Sequence, residues 1–427
     1  MRGVFIVVEV FAVSRNIAVL GAGMVGVSIA YHLARRGHDV ILIDRQTPGR
    51  ETSFGNAGII QREAVEPYAF PHDPRRILRV LPNRSVDIRY RPSALAATAG
   101  PLFEYWRNSA PQRYKRIVPE YASLIMRSSE THAPMIEAAG AQSLISTTGW
   151  LELYRSHAAL EKRKARVDAI YPGYGVDYAV LDRSEMMDME PNLSPGLVGA
   201  IHWWNSWTVA SPGDLVKAYA DLFASIGGTM IKAEIGSIER SGASWRVSTG
   251  GGDLDVSDVV VALGPWSGGV LKHLGYRLPL FMKHGYHMHY AHDDRRPMYH
   301  WLMDAEVGYL MQPMTKGIRL TTGAELARLD AAPDSSQLDA AEKVARNLFP
   351  HLGERIDPLP WRGARPCTPD MKPIIGRAPE HEGLWFAFGH GHQGFTLGPV
   401  TGLLLAQVME GETPIVELTP FSPARFR

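Results

Sequence analysis

Two glycine-rich turns stand near opposite ends of the 427-residue chain, and both have the composition of backbone that comes close to a ligand. The first is Gly21-x-Gly23-x-x-Gly26. It follows the apolar run Ile17–Leu20 and opens a segment in which Val25, Ile29 and Leu33 recur at helical spacing. In such a unit Gly21 permits the tight turn, Gly23 lets backbone approach a pyrophosphate, and Gly26 lets the helix pack close to the strand. The helix N-terminus turns N–H groups and positive potential toward phosphate oxygens. Asp44 closes a second apolar run, Val40–Ile43, where a carboxylate accepts from ribose hydroxyls and disfavours a 2′-phosphate. The chemistry expected of this set is dinucleotide binding; a purely structural turn is the alternative.

The second turn is "GHGHQGFTLG", residues 389–398. It follows the apolar run Leu384–Phe388 and enters a helix whose body, Leu403–Met409, is stopped by Gly411. A strand, a glycine turn and a helix again point positive potential at whatever lies in front. His390 and His392 form a His-x-His pair, which without further ligands in a matching context is poor zinc chemistry, so no metal is expected. Between the two turns, "ETSFGNAGII" offers the hydroxyls of Thr52 and Ser53 and the backbone of Asn56 and Gly58. These suit the pyrophosphate and ribityl part of a cofactor longer than NAD; an ordinary loop is the competing reading. In "VVVALGPWSG" a β-branched strand runs into Ala262 and Gly264 and can pass close to a planar or phosphate group.

The elements that must position these residues read as an α/β chain. Asp214–Ile226 has helical spacing, with Leu215, Tyr219, Leu222 and Phe223 on one side and Gly227 and Gly228 as the stop. "QLDAAEKVARNLFPHL" reads as a helix through Leu338, Ala341, Val344 and Leu348. Ala122–Ala139 reads as one helix that Pro134 kinks or ends. "GWLELYR", "FMKHGYHMHYA" and "GIRLTTGAE" alternate like strands. The length exceeds one typical domain. The composition, 45% hydrophobic and 21% charged, is that of a globular chain. A net charge of +1 without a basic stripe argues against nucleic acid. A single cysteine, Cys367, excludes an internal disulfide and fits a reducing compartment. No run reaches the roughly 20 apolar residues of a membrane helix. The expected location is cytoplasmic, with peripheral contact at an inner membrane left open. Met1–Arg15 reads as an extension before the first strand, since Glu9 interrupts its apolar run.

Taken in order, Gly21-x-Gly23-x-x-Gly26, Asp44, "TSFGNAG", "VVVALGPWS", "RPCTPDMKPIIG" and "GHGHQGFTLGPVTGLLLAQ" resemble the FAD-dependent D-amino-acid oxidase and dehydrogenase superfamily. That group includes glycine oxidase, sarcosine oxidase and bacterial D-amino-acid dehydrogenases, and the likeness is to the dehydrogenase branch. The resemblance implies a Rossmann-like FAD-binding domain assembled from residues 15–90, 208–272 and 357–420. It implies a substrate domain with a large mixed β-sheet from 91–207 and 273–356, and leaves 1–14 as an extension. It implies FAD contacts at Gly21, Gly23, Met24, Val25 and Gly26, at Asp44 and Arg45, and at Thr52, Ser53, Asn56, Ala57 and Gly58. Further contacts fall at Ile235, Ala262 and Gly264, and along the second turn at Gly389, His390, Gly391, Gln393, Gly394, Phe395 and Thr396. Backbone N–H groups of that turn would stabilise negative charge on a reduced flavin.

The implied reaction oxidises the C–N bond of a small amino or imino acid, with hydride leaving the α-carbon for flavin N5. An imino acid of the D-proline or hydroxyproline type is attractive because its product stays cyclic. Arg365 resembles the family's carboxylate-binding arginine and Tyr286 a tyrosine near that carboxylate; His392 departs from many relatives, and facing the substrate or being a solvated or packed histidine are its two readings. His287, Tyr309 and Gln312 are lesser site candidates. Arg365 and Tyr286 each have an alternative reading, as a salt bridge and as a core strand residue. Cys367 is off the position at which sarcosine oxidase-like members attach the cofactor, so FAD is expected to be non-covalent. The electron acceptor is a quinone, another carrier or oxygen. The rival functions are an NAD-dependent dehydrogenase using the first turn alone, and a non-catalytic or partner-dependent FAD-binding subunit.

Overall fold

A computed structural model describes residues 14–426; the 1–14 extension lies almost wholly outside the described residues. In chain order, the elements that build the site begin with β1 (Asn16–Leu20), α1 (Met24–Ala34), β2 (Asp39–Asp44), α2 (Ala99–Asn108) and β3 (Asp258–Val261). They continue with β4 (Phe281–Tyr290), α3 (Ser336–Leu348), β5 (Trp361–Cys367), β6 (Leu384–Phe388) and α4 (Gly398–Met409).

The first sheet has six strands in the order 229–232, β2, β1, β3, β6, 374–377. All neighbours are parallel except 374–377, which runs antiparallel to β6 at the edge. Its strands are covered on both faces, and β1, β3 and β6 read as near-continuous Val, Ile, Leu and Phe for that reason. The β1–α1 turn depends on two glycines. Gly21 sits at φ +106, and a Cβ on Gly26 would overlap the Gly21 carbonyl oxygen. Any side chain at either position would push α1 off the sheet. Helix α4 packs along α1 across Gly398 and Gly402, where an added Cβ would stand 2.5 Å from Met24 Cγ and 2.6 Å from the Ser28 backbone.

The second sheet has ten strands and is mixed, with β4 near its middle. It packs one face on α3 through Tyr286, Met288, Tyr290, Leu338, Ala341 and Ala345, all buried. The strand β5 pairs antiparallel with β4 along its whole length, so residues 361–367 belong structurally to this sheet, although the boundary expected at 357 puts them with the nucleotide-binding unit. Residues 88–90 likewise pair with 324–326 of this sheet rather than with the first.

Two local expectations differ from the structure. The segment expected as one helix over Ala122–Ala139 is two helices, Pro111–Ile125 and Ser128–Ala138, and the break falls at Met126–Arg127. Pro134 lies inside the second helix, and Pro119 inside the first. Helix α4 starts at Gly398, well after the glycines of the preceding turn, because residues 390–397 form a compact turn of their own.

Candidate active site

A cavity of about 610 Å³ opens between the two sheets. Its wall takes in Gly21 and Gly23 of the first turn, Met24, Val25, Asp44 and Arg45, and Thr52, Ser53, Asn56 and Ala57. It takes in Ile235, Ala262 and Gly264, then Gly389, His390, Gly391, Gly394 and Phe395 of the second turn. Residues far apart in sequence are thus gathered because β1, β3 and β6 are adjacent parallel strands and their C-terminal ends open on one crevice.

The detail at the first turn suits an anionic nucleotide. Gly23 is the N-cap of α1 and supplies no side-chain cap. Met24 N donates to Ser53 Oγ at 3.0 Å, which fixes a hydroxyl on the cavity wall. The Asp44 carboxylate accepts from Ala22 N at 2.7 Å and from Gln46 N at 2.8 Å, so it is oriented by backbone. Arg45 lies over the Trp266 ring, 4.3 Å from its centroid, and both residues line the wall. The indole N–H of Trp150, also on the wall, has no hydrogen-bond partner among the described residues. A buried donor in that condition calls for an acceptor from outside the chain, a ligand or an ordered water.

Four expected contact residues stand behind the wall instead of on it. Gly26 and Gly58 are packing positions; a Cβ on Gly58 would overlap the Val209 carbonyl oxygen. Gln393 donates through Nε2 to Gln61 Oε1 at 2.7 Å, and Thr396 Oγ1 accepts from Gln61 N and donates to Ile59 O, both at 3.3 Å. These two side chains clamp residues 59–61 to the second turn. His390 is buried, with Nε2 3.0 Å from Thr401 Oγ1, and burial lowers it to about 3, so it is neutral.

The far wall is built by β4 and β5. In their register Lys283 pairs with Arg365, Gly285 with Gly363, and His287 with Trp361. Directly paired residues of an antiparallel ladder project to the same face, and successive residues along a strand to opposite faces. Lys283, Gly285, Gly363, Arg365 and Trp361 therefore share the cavity face. Arg365 Nη1 donates to the Gly323 carbonyl at 2.9 Å. Its Nη2 end passes over Gly285, where a methyl group would stand 2.8 Å from Cζ. Burial lowers Arg365 from the ordinary guanidinium value. Lys283 Nζ donates to the Tyr105 hydroxyl of α2 at 3.1 Å and sits 4.5 Å from the centre of that ring. Burial opposes its charge, but Tyr105 and Cys367 hold the proton on and leave the ammonium above its usual value. His392 packs edge-on against Tyr68, with ring centres 4.6 Å apart. Burial first, then the charges of Arg365 and Lys283, lower it to about 3.

Tyr286 lines the cavity beside Gly285, but its hydroxyl is committed elsewhere. It has the opposite parity to Lys283 and points into the core over α3, where its hydroxyl donates to Glu325 Oε2 at 2.7 Å and accepts from Asp334 N at 3.0 Å. The lesser candidates lie away from the cavity wall. His287 is stacked on Trp361 at 4.8 Å, with the indole on the wall. Tyr309 is in the α3 core, and Gln312 is buried with Oε1 accepting from Thr321 Oγ1 at 3.1 Å. Lys283, Tyr68, Tyr105 and Trp361 were missed. For Lys283 and Trp361 the signal was available, since Lys283 and Gly285 share a parity in "FMKHGYH", and so do Trp361 and Arg365 in "WRGARPC". Tyr68 and Tyr105 come from a stretch without periodic pattern.

The chain matches the family described as DAO, FAD dependent oxidoreductase, over residues 16–408, and it belongs to that family. It is 30% identical to the D-amino-acid oxidase of Bradyrhizobium diazoefficiens over 96% of this chain and 99% of that one. It is 29% identical to the D-amino acid dehydrogenase of Chromohalobacter salexigens, again over 96% and 99%. The glycine oxidase from Geobacillus kaustophilus has the same fold, with a TM-score of 0.74, 23% identity and coverage of 96% and 98%. The cofactor is FAD, and the NAD-only alternative is set aside. The cavity's open α1 terminus, backbone-held Asp44 and unpartnered Trp150 fit that group. Among the described residues no cluster of metal-ligating side chains occurs, and no helix is long and apolar enough to cross a membrane.

Proposed function

We propose that this chain oxidises the C–N bond of a small amino or imino acid of the D series, including secondary amines of the proline type. The observation that carries the reading is the Arg365 guanidinium, held by Gly323 on the wall of the same cavity that meets both glycine turns. Relatives named D-amino-acid oxidase and D-amino acid dehydrogenase support the substrate class. Bound FAD, non-covalent here, supplies the two-electron acceptor for the oxidation. Gly21, Gly23, Ser53 and Asp44 would hold its nucleotide part, and Gly389 to Phe395 its ring.

The chain's own residues bind and orient. Arg365 takes the substrate carboxylate through two N–H donors and fixes the α-carbon in position. His392, neutral at working pH, is too weak a base to take an ammonium proton, so the substrate amine arrives neutral or loses its proton to solvent. Trp361, Tyr68 and Tyr105 keep water from the reacting bond.

The test is anaerobic bleaching of the purified yellow protein by a panel of D-alanine, D-proline, D-hydroxyproline, D-glutamate, glycine and sarcosine. Bleaching by D-amino or D-imino acids is expected. An unbleached flavin with every member would assign the chain to a partner-dependent subunit. Arg365→Lys, which gives up the two-pronged contact, should lower kcat/KM by about 100-fold with FAD still bound. Reoxidation by air against a soluble quinone then separates the two acceptor classes.

A further inference from the structure

The far wall carries two buried cations where one carboxylate needs only one. Lys283 and Arg365 are directly opposed across the β4–β5 ladder, and like charges in that position repel. Neither is offset by an acid: among the described residues the hydrogen-bond partner of Lys283 is the Tyr105 phenol, and that of Arg365 is the Gly323 carbonyl. Their heads diverge along the strand. The guanidinium leans over Gly285 toward Gly323, while the ammonium leans the other way, over Tyr105 and within 5.6 Å of the Phe281 ring centre. The two heads therefore offer contacts in different directions along the wall. Beyond Lys283 lies a small side chamber of about 30 Å³, lined by Tyr68, Tyr105, Tyr121, Lys283, Cys367 and His392 among others. It is of the size of a single polar group.

We propose that the preferred substrate is an acidic amino acid with two carboxylates, the α-carboxylate on Arg365 and the side-chain carboxylate on Lys283 at the mouth of this chamber. The proposal rests on the amino-acid oxidation proposed above and narrows it. A second carboxylate gives the buried ammonium the counter-charge that the protein withholds, and a buried charge without a partner is costly. The neutral imidazole of His392 adds a polar group to this lining, beside a Tyr105 hydroxyl that donates to Tyr68 O at 2.6 Å and accepts from Lys283.

The experiment compares kcat/KM of the holoenzyme for matched pairs, D-glutamate against D-glutamine and D-aspartate against D-asparagine, beside D-alanine and D-proline. The acid of at least one pair should exceed its amide by about tenfold or more. Lys283→Met should bring that ratio close to one, and Lys283→Arg should keep the acid ahead. A second measurement needs no variant: titrated against the flavin absorption of the wild-type holoenzyme, glutarate should bind at least about tenfold tighter than butyrate. Amides equal to or better than acids, a ratio indifferent to Lys283→Met, or equal binding of glutarate and butyrate would each overturn the proposal. Turnover of D-alanine or D-proline without any preference for acids would do so while leaving amino-acid oxidation in place. An enzyme idle with the whole set would remove both.

Discussion

Arg365 reaches its position on the cavity wall by crossing the Cα of Gly285, two residue pairs along the ladder from Lys283. The missing side chain at Gly285 is the space that the guanidinium occupies: an added Cβ would overlap Nη2 and stand 2.8 Å from Cζ. The contact is between a backbone and the rigid end of a side chain that is also tied to Gly323. Neither can yield without moving the donors.

Gly285→Ala should therefore behave as a fault in substrate placement. The strand keeps its pairing, since Gly285 is extended and alanine is tolerated in such backbone. The displaced guanidinium should raise KM and lower kcat/KM by roughly 10- to 100-fold, with the FAD spectrum and affinity unchanged. Steady-state kinetics beside a flavin titration would check this. Kinetics equal to wild type would mean that Arg365 does not hold the substrate from this position.

Tyr286 supplies the contrasting case, one residue further along the same strand. Its hydroxyl is committed to Glu325 and the Asp334 amide on the α3 side of the sheet. Tyr286→Phe should leave kcat/KM within a few-fold of wild type and cost about 1–3 kcal/mol of stability, because Glu325 and Asp334 N lose a partner. Denaturant unfolding and steady-state kinetics together decide it. A loss of activity as large as that of Arg365→Lys would return Tyr286 to the site.

That pair of residues shows how much of the molecule was legible in the sequence. The nucleotide crevice was, because each of its determinants is local: a glycine turn needs only its neighbours to be recognised, and Gly21, Gly23, Asp44, Ser53 and Gly391 all reach one cavity. The substrate wall was legible only in part. Arg365 and Tyr286 both follow from motif resemblance, and both line the cavity, but the Tyr286 hydroxyl is bound to Glu325 and Asp334 N on the α3 side, which no motif reports. The parity of "FMKHGYH" puts Lys283 on one face with Gly285, but that this face meets Arg365 follows only from the pairing of β4 with β5, a contact between segments some eighty positions apart. The same non-local pairing moved residues 361–367 out of the unit expected from 357 onward. The helix break at Met126–Arg127 had no proline or glycine to mark it, and the two prolines nearby were accommodated inside helices.

Buried histidine is the last consequence, and it bears on pH. Burial lowers His32, His390 and His392 to about 3, His132 to about 4 and His287 to about 2. A depressed value in the folded state means that the stability is complete above the unfolded value near 6.5 and is lost as pH falls below it, since only the unfolded chain takes up the proton. At pH 5.5 each such group has given up about 1.4 kcal/mol, so the set of five has given up about 7. Buried carboxyls work the other way, Glu63 and Glu190 both being raised by burial. Burial raises Glu63 to about 7, so its unfavourable ionisation is relieved on acidification and offsets about 2 kcal/mol by the same pH. The loss remaining after Glu63, about 5 kcal/mol, is comparable to the whole stability of many proteins. The holoenzyme should therefore unfold steeply between about pH 6 and 5, with several protons taken up per molecule, while stability from pH 7 to 8 changes little. Urea unfolding at half-unit steps from pH 8 to 5 would measure it, with His132→Gln expected to remove about one proton from the slope. A stability that stays level down to pH 5 would show that these imidazoles are not held neutral by the fold.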